Sequence, residues 1–516
     1  MIEYLRSKEL LVDELLNKSI HKFPDKLAVI DGDRRITYAA LKNRVNTLAG
    51  WFQINGIKKG EKVALLLYNS IEFVECFIAL AKIGAIVIPV NFRMHKSEIT
   101  YILQNSDAKM LISHFDFMQD IEEMKDKLPL LEEVVIVSDD IDASPFISYN
   151  DILKKNYSLR LEELNDNDDF LIIYTSGTTG KPKGAVLTHK NVYMNAVNMV
   201  LECGLTKDEV QIISTPLFHI GGVSALTMMM LVGGTSVLLR SFDSQYILKT
   251  IETEKVTYAF MVPSMWNMLI KVSDFKEYNV DSLRIICTAG ASTPLELKKK
   301  LMASFPNAGI FDTFGHTETS GSTATLKAND ALIKTGSVGL PFSIVDVRVV
   351  DEDMNDCSPN QVGEIIYRGP TMMKEYYKNP VATEDALRGG WLHSGDLVKL
   401  DEEGYVTVVD RKKDMIISGG ENIYPKEIED VLYTHPFIVE AAVIGVPHEK
   451  WGETVKAYVV LTEGVILTEQ EVIDFCASKI ARYKKPHSVE FIDVLPKNAS
   501  GKILKTKLRN SAGLPV

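Results

Sequence analysis

Cysteine is scarce in this chain and never suitably spaced: Cys76, Cys203, Cys287, Cys357 and Cys476 are odd in number, scattered and without a CxxC arrangement. That argues against a disulfide framework or a thiolate zinc site and fits a reducing cytoplasm. An excess of positive charge is missing too. Against 57 lysines and arginines stand 69 aspartates and glutamates, a balance of −12. Broad nucleic-acid binding depends on cations displacing counterions from phosphates, so none is expected, and any phosphate site must be local. No basic-then-apolar leader opens the chain; MIEYLRSKELLVDELLNKS mixes both charges with leucines and reads as a surface helix. A transmembrane segment is also lacking. The uncharged stretch 211–239 is interrupted by Pro216, His219 and the pairs Gly221-Gly222 and Gly233-Gly234, and reads as a buried helix followed by a buried strand. Peripheral membrane contact stays open, as does the choice between monomer and homodimer.

What is present is a globular composition, 46% hydrophobic and 24% charged, in a chain of 516 residues that is too long for one core. After Thr37, a helix cap, Leu41, Val45, Leu48 and Phe52 recur at helical spacing. KVALLL then reads as a strand, SIEFVECFIALAKIG as a helix and AIVIPV as another strand. Continuously apolar strands, FLII and TSVLL included, suit parallel sheets covered on both faces. Past about residue 335 the texture shifts to short strands and turns, as in a β-rich subdomain. Near 411–414 a charged cluster precedes a glycine pair and a helix opened by Pro425. The remainder carries the alternating strand VKAYVVL and a helix capped by Thr468 with Glu471 three residues on. The expected class is α/β: a large N-terminal domain (1–411) of α/β subdomains plus a β-rich subdomain, then a small α+β C-terminal domain (412–516).

The segment YTSGTTGKPKG, residues 174–184, follows FLII with three glycines, four Ser/Thr hydroxyls and two lysines. It is not a Walker A loop, because no lysine followed by Ser or Thr closes the frame and the next residues, AVLTH, read as a strand rather than a helix. A hydroxyl-rich hairpin can still wrap a polyphosphate with amides, hydroxyls and a mobile lysine. On composition alone a solvent-exposed turn is the favoured reading.

Further stretches follow in order: TPLFHIGG (215–222), TAGAS (288–292), TFGHTET (313–319), SGD (394–396), DRKKDMIISGGENIYPKEIE (410–429) and PKNASGK (496–502). With the loop they resemble, in kind and order, the motifs of the adenylate-forming superfamily of acyl-CoA synthetases, peptide-synthetase adenylation domains and firefly luciferase; fatty-acid CoA ligases are the nearest resemblance. The resemblance implies ATP, Mg²⁺ and coenzyme A, and two steps. A carboxylate attacks the α-phosphate to give an acyl-adenylate and pyrophosphate, then a thiol attacks the acyl carbon and expels AMP.

It also implies site residues. Thr175, Ser176, Gly177, Thr178, Thr179 and Lys183 would cover the departing phosphates. Glu318 would carry Mg²⁺ while Thr317 donates to the α-phosphate. Phe314, followed by Gly315, would stack on adenine against the backbone of Gly290 and Ala291. Asp396 would accept from the ribose hydroxyls with Arg411 nearby, and Lys502 would bridge the acid and the α-phosphate. Rotation of a mobile C-terminal domain about Lys413 would withdraw Lys502 and present Gly419 and Gly420 to the pantetheine arm. His219 resembles the aromatic gate to the acyl pocket.

Two positions depart from the usual pattern: Phe314 stands where tyrosine is common, and His316 where an apolar or amide residue is. The acid is expected to be a medium- or long-chain fatty acid, with an aryl or dicarboxylic acid as the alternative that His316 keeps open. Met228, Met229 and Met230 are read either as tunnel lining or as core. No carrier-protein domain follows Val516, so free coenzyme A is the expected acceptor, with carrier loading as the alternative; a non-catalytic nucleotide or acyl sensor is the alternative of a different class. Residues 479–509 hold nine lysines and arginines against two acids, either for coenzyme A phosphates or as a solubilising face.

Overall fold

The computed structural model describes residues 1–138, 143–175, 181–290, 293–419, 421–497 and 503–513. These fall into two compact units: the described residues of 1–176, 182–346 and 368–392, and those of 177–181, 347–367 and 393–516.

In the larger unit, Thr37 caps the helix Tyr38–Ile54 by accepting from the Ala40 amide, and its Leu41, Val45, Leu48 and Phe52 are buried, as their spacing requires. The strand Lys62–Leu66 lies between Ile86–Pro89 and Ala108–His114, parallel to both. Glu133–Val137 and Ile147–Ser148 extend one side, also in parallel. On the other side Asp169–Thr175 runs parallel to Ile86–Pro89, then Lys183–Thr188 and Glu375–Tyr376 follow antiparallel. A second sheet runs in the order Ser337–Pro341, Gly321–Leu326, Gly309–His316, Ile285–Thr288, Tyr258–Met261, Val210–Ile213, Thr235–Leu238, Leu27–Asp31 and Arg34–Thr37. Its central strands, from Gly309–His316 to Leu27–Asp31, are parallel.

The helix Ile71–Ile83 is buried along its whole length and packs against strands of both sheets. Its three charges are all paired: Glu72 with half-exposed Arg34 at 2.5 Å, Glu75 with Arg44 and with the Tyr149 hydroxyl at 2.6 Å, and Lys82 with buried Asp13 at 3.6 Å. The reading of the N-terminus as a surface helix is corrected here. Two helices form, Ile2–Arg6 and Val12–Lys22, and the second buries Val12, Leu15, Leu16 and Ile20. Two charges in that stretch are inward, with buried Arg6 paired with buried Asp13 at 2.7 Å, an arrangement charge counting reads as solvent-facing.

The uncharged stretch folds as the strand Val210–Ile213, the helix Ile220–Val232 and the strand Thr235–Leu238. Asn69, just before the buried helix, ties this stretch to the first sheet. Its amide nitrogen donates to the carbonyls of Ile213, Thr215 and Leu239 at 3.1–3.3 Å, and its oxygen accepts from the Leu217 amide at 2.8 Å.

In the smaller unit the strands Asp346–Val350, Gly363–Arg368, Leu392–Leu400 and Val406–Arg411 lie side by side in that order. A further sheet pairs the long strands Ile438–His448 and Gly452–Leu461 antiparallel, with Ser488–Phe491 added in parallel. Pro425 opens the helix Pro425–Leu432, and Thr468 with Glu471 forms a capping box on Glu469–Ala477.

Asn69→Ala removes four hydrogen bonds and strands buried backbone groups, each costing about 1–3 kcal/mol if left unmet. The thermal midpoint measured by scanning calorimetry is expected to fall by several degrees; an unchanged midpoint would mean that the strand ends are held by other contacts.

Candidate active site

The hydroxyl-rich loop is closed by strand pairing. Thr175 stands opposite Lys183 and Tyr174 opposite Gly184, and the Thr175 hydroxyl donates to the Lys183 carbonyl at 3.4 Å. Gly184 is required there, since a Cβ would lie 2.6 Å from Ile172 Cγ2. The strand that returns is the one expected from AVLTH. Ser176, Gly177, Thr178 and Thr179 lie outside the described residues, as do Ala291, Gly420 and Lys502.

Glu318 sits on the single turn Thr317–Thr319 that ends the strand Gly309–His316. Its carboxylate accepts from the Tyr376 hydroxyl at 2.7 Å, and its carbonyl from the Met373 amide at 2.7 Å. Lys183 reaches toward the same tyrosine, its ammonium 5.3 Å from the Tyr376 ring centroid. Thr317 is buried and Gly315 exposed; a Cβ on Gly315 would strike the Gly321 carbonyl at 2.0 Å, so the strand crossing here admits only glycine. Phe314 and His316 are half-buried, with ring centroids 5.2 Å apart and edge to face. Gly290 takes φ +81°. It leaves the strand Ile285–Thr288, whose Thr288 pairs with Asp312, so Gly290 and Phe314 continue neighbouring strands past the same register.

Beneath this edge is a polar cluster that no motif announced. Buried Lys298 pairs with Asp312, the Thr288 hydroxyl donates to Asp312, and the Thr288 and Thr293 hydroxyls are 2.8 Å apart. Asp312 inside the otherwise apolar GIFDTF was a usable signal. Lys298, within LKKK, was not.

His219 caps the helix Ile220–Val232, its Nδ1 accepting from the Gly221 amide at 3.3 Å. A Cβ on Gly221 would stand 3.1 Å from the Phe260 ring. Met228, Met229 and Met230 are 1%, 1% and 4% exposed, so they are core.

In the smaller unit, buried Asp396 and Arg411 face each other across adjacent antiparallel strands, with Nε to Oδ1 at 2.5 Å. The amide of Gly419 donates to the Trp451 carbonyl at 2.8 Å. Its φ is +61°, and a Cβ there would stand 2.8 Å from Trp451 Cε3, which leaves room for glycine alone. Burial lowers the pKa of Lys413, with the like charges of Arg411 and Arg509 adding to the effect.

Past the outer end of this segment lies a buried ionic cluster. Lys505 pairs with Glu429 at 2.8 Å and Arg509 with Asp414 at 2.8 Å, while Asp410 accepts from the Lys426 amide at 2.8 Å. Burial works against the Lys505 ammonium, but Glu429, Asp410 and Asp414 outweigh it and its pKa is raised. For Asp414 burial is likewise outweighed, by Lys505 and Arg509, and its pKa is lowered; for Asp410 burial wins and its pKa is raised.

Lys183 and Glu318 thus meet at Tyr376 in the larger unit, and Asp396 pairs with Arg411 in the smaller. Residues 16–377 match the AMP-binding enzyme family and residues 427–502 its C-terminal domain, and the chain belongs to that family. It is 36% identical over 491 residues to a feruloyl-CoA synthase of Amycolatopsis, covering 95% of this chain and 96% of that one. Among solved structures it is similar to the anthranilate CoA ligase AuaEII in complex with anthranoyl-AMP (TM-score 0.90, 29% identity, 97% of each chain). It is also similar to o-succinylbenzoate CoA synthetase (MenE) from Bacillus subtilis with ATP and magnesium (TM-score 0.85, 32% identity, 96% of this chain and 99% of that one). The chain is an AMP-forming acid–CoA ligase that uses ATP, Mg²⁺ and coenzyme A. The donor set fits the metal: Mg²⁺ keeps several waters and takes phosphate oxygens, so it asks for one or two carboxylates. Glu318, the candidate beside the loop, would supply one, and among the described residues there is no group of three or more His, Cys, Asp or Glu side chains that could hold a metal ion. No helix of the described residues is long and apolar enough to cross a membrane.

Lys505→Met withdraws the cation from three buried acids, raising their folded-state pKa values above those of the unfolded chain. The stability lost is small at pH 5, where protonation relieves them, and grows toward pH 8. Melting curves of the variant and the wild type across that range check this; a deficit that does not change with pH would refute it.

Proposed function

We propose that the chain is an aryl-CoA ligase, activating an aromatic carboxylic acid as its adenylate and passing it to free coenzyme A. The aryl alternative is favoured over a fatty acid by the aromatic substrates of several similar proteins; Met228, Met229 and Met230, at 1%, 1% and 4% exposed, are packed as core, which lends an alkyl tunnel no support. Phe314 and His316 stand edge to face with ring centroids 5.2 Å apart; a ring edge suits a planar acid, and an imidazole suits one with a polar ring substituent. Several of the similar proteins carry the names of aromatic acids, feruloyl, anthranilate and o-succinylbenzoate, while a fatty acyl CoA synthetase of Mycobacterium tuberculosis is also similar, at a lower TM-score of 0.79.

In this reading the loop residues Thr175–Thr179 and Lys183 screen the triphosphate, Glu318 holds Mg²⁺, and Thr317 contacts the α-phosphate. The bound metal supplies charge neutralisation on the phosphate oxygens. Phe314 stacks on adenine with Gly315, Gly290 and Ala291 around it, and the missing hydroxyl at 314 costs one hydrogen bond. Asp396, braced by Arg411, takes the ribose. Lys502 offsets the repulsion between acid and α-phosphate. His219 gates the acid, His316 lines its pocket, Gly419 and Gly420 flank the pantetheine path, and residues 412–516 turn about Lys413 between the two steps.

Pyrophosphate release measured with benzoates, cinnamates, aryl dicarboxylates, octanoate and palmitate is expected to give a kcat/KM for the best aromatic acid at least about tenfold above either fatty acid. A faster fatty acid would overturn the assignment. Lys502→Ala is expected to lower pyrophosphate release by about 10²–10³-fold while calorimetric ATP binding persists; retained turnover would remove Lys502 from the mechanism.

A further inference from the structure

The short segment 373–378 has no part in the roles assigned so far, yet it touches both sides of the phosphate-handling apparatus. Its strand Glu375–Tyr376 pairs with the returning strand of the loop, Glu375 opposite Val186 and Tyr376 opposite Ala185. The amides of Lys374 and Tyr377 donate to the carbonyls of Val186 and Gly184 at 2.9 and 2.7 Å, and the Met373 amide donates to the carbonyl of Glu318. The Tyr376 amide is itself fixed by the Thr383 hydroxyl at 2.9 Å. Loop and carboxylate therefore hang from one rigid brace.

We propose that Tyr376 is a positioning residue for MgATP: its ring face seats the Lys183 ammonium and its hydroxyl aims the Glu318 carboxylate, presenting both to the triphosphate without letting them neutralise each other. This rests on the roles proposed above for Lys183 and Glu318. A lysine and a glutamate at such close quarters would ordinarily join in a direct ion pair, which would use up the cation meant for phosphate and the carboxylate meant for metal. A phenol keeps them apart. It offers π density to the ammonium, 5.3 Å from the centroid, and a proton donor to the carboxylate at 2.7 Å, from opposite parts of one side chain. Phenylalanine keeps only the first contact and leucine neither.

Isothermal titration of the full chain with ATP, in the presence of Mg²⁺ and separately with EDTA, separates the two contacts. Tyr376→Phe is expected to weaken MgATP binding by about 3- to 10-fold and to leave metal-free ATP binding unchanged, whereas Tyr376→Leu weakens both. On a Glu318→Gln background Tyr376→Phe should add no further loss. The proposal is overturned if Tyr376→Phe binds MgATP as the wild type does, if it loses MgATP and metal-free ATP equally, or if its loss survives in the Glu318→Gln background. Melting curves confirm that Tyr376→Leu is folded, and Tyr376→Phe retains the shape and carries the decision by itself. The titrations contain no acid, so a wrong acid class leaves them untouched. Failure of every acid to release pyrophosphate would instead sink the ligase reading.

Discussion

One buried amide group sets where the larger unit can do chemistry. Asn69 spends its whole hydrogen-bonding capacity on the chain around three carbonyls and the Leu217 amide, which fixes the carboxyl ends of the strands Val210–Ile213 and Thr235–Leu238 beside the helix Ile71–Ile83 of the neighbouring layer. Ligands in parallel α/β sheets bind outside the carboxyl ends of the strands. Two sheets whose ends did not meet would offer two shallow edges rather than one site. Because the residue that makes them meet stands one position before Ser70, the cap of a fully buried helix, register and site are decided together.

Around that edge, the chain handles charge by division rather than by accumulation. The net charge is −12, yet the groups that would meet phosphate and its metal are few and individually buttressed: Lys183 over an aromatic ring and Glu318 on a hydroxyl. Each is held by a partner that orients it and leaves it able to act. This is the economy expected of a site whose ligand brings several negative charges and a metal with it, since a pocket saturated with lysines would hold pyrophosphate too tightly to release it.

Much of this was legible in the sequence, for identifiable reasons. Elements with a strong local signature came through: the Thr37 and Thr468 caps, the continuous apolar strands, the helix started by Pro425, and the strand after the loop that excluded a Walker A. The motifs identified the reaction because their residue types follow from the charge chemistry. What stayed hidden was charge turned inward. Arg6, Asp13, Lys82 and Lys298 look like surface residues in a one-dimensional reading, and only tertiary pairing makes their burial tolerable. Tyr376 was missed for a related reason. Its importance lies in two contacts 193 and 58 positions away, to Lys183 and Glu318, and no local pattern marks a residue that works as a spacer. The three methionines, open in the sequence between tunnel lining and core, are resolved only by packing, because methionines at helical spacing read alike in either role.

The tail carries a consequence for anyone recombining such enzymes. Lys505 and Arg509 answer to Glu429 and Asp414, so the last stretch of chain is chemically indentured to acids some eighty to a hundred positions upstream. A chimera joined just ahead of the terminal SGK would import two cations without their counterparts, or strand three acids in a dry interior. The natural seam for exchange therefore falls before Asp410, where the entire ionic set travels as one piece.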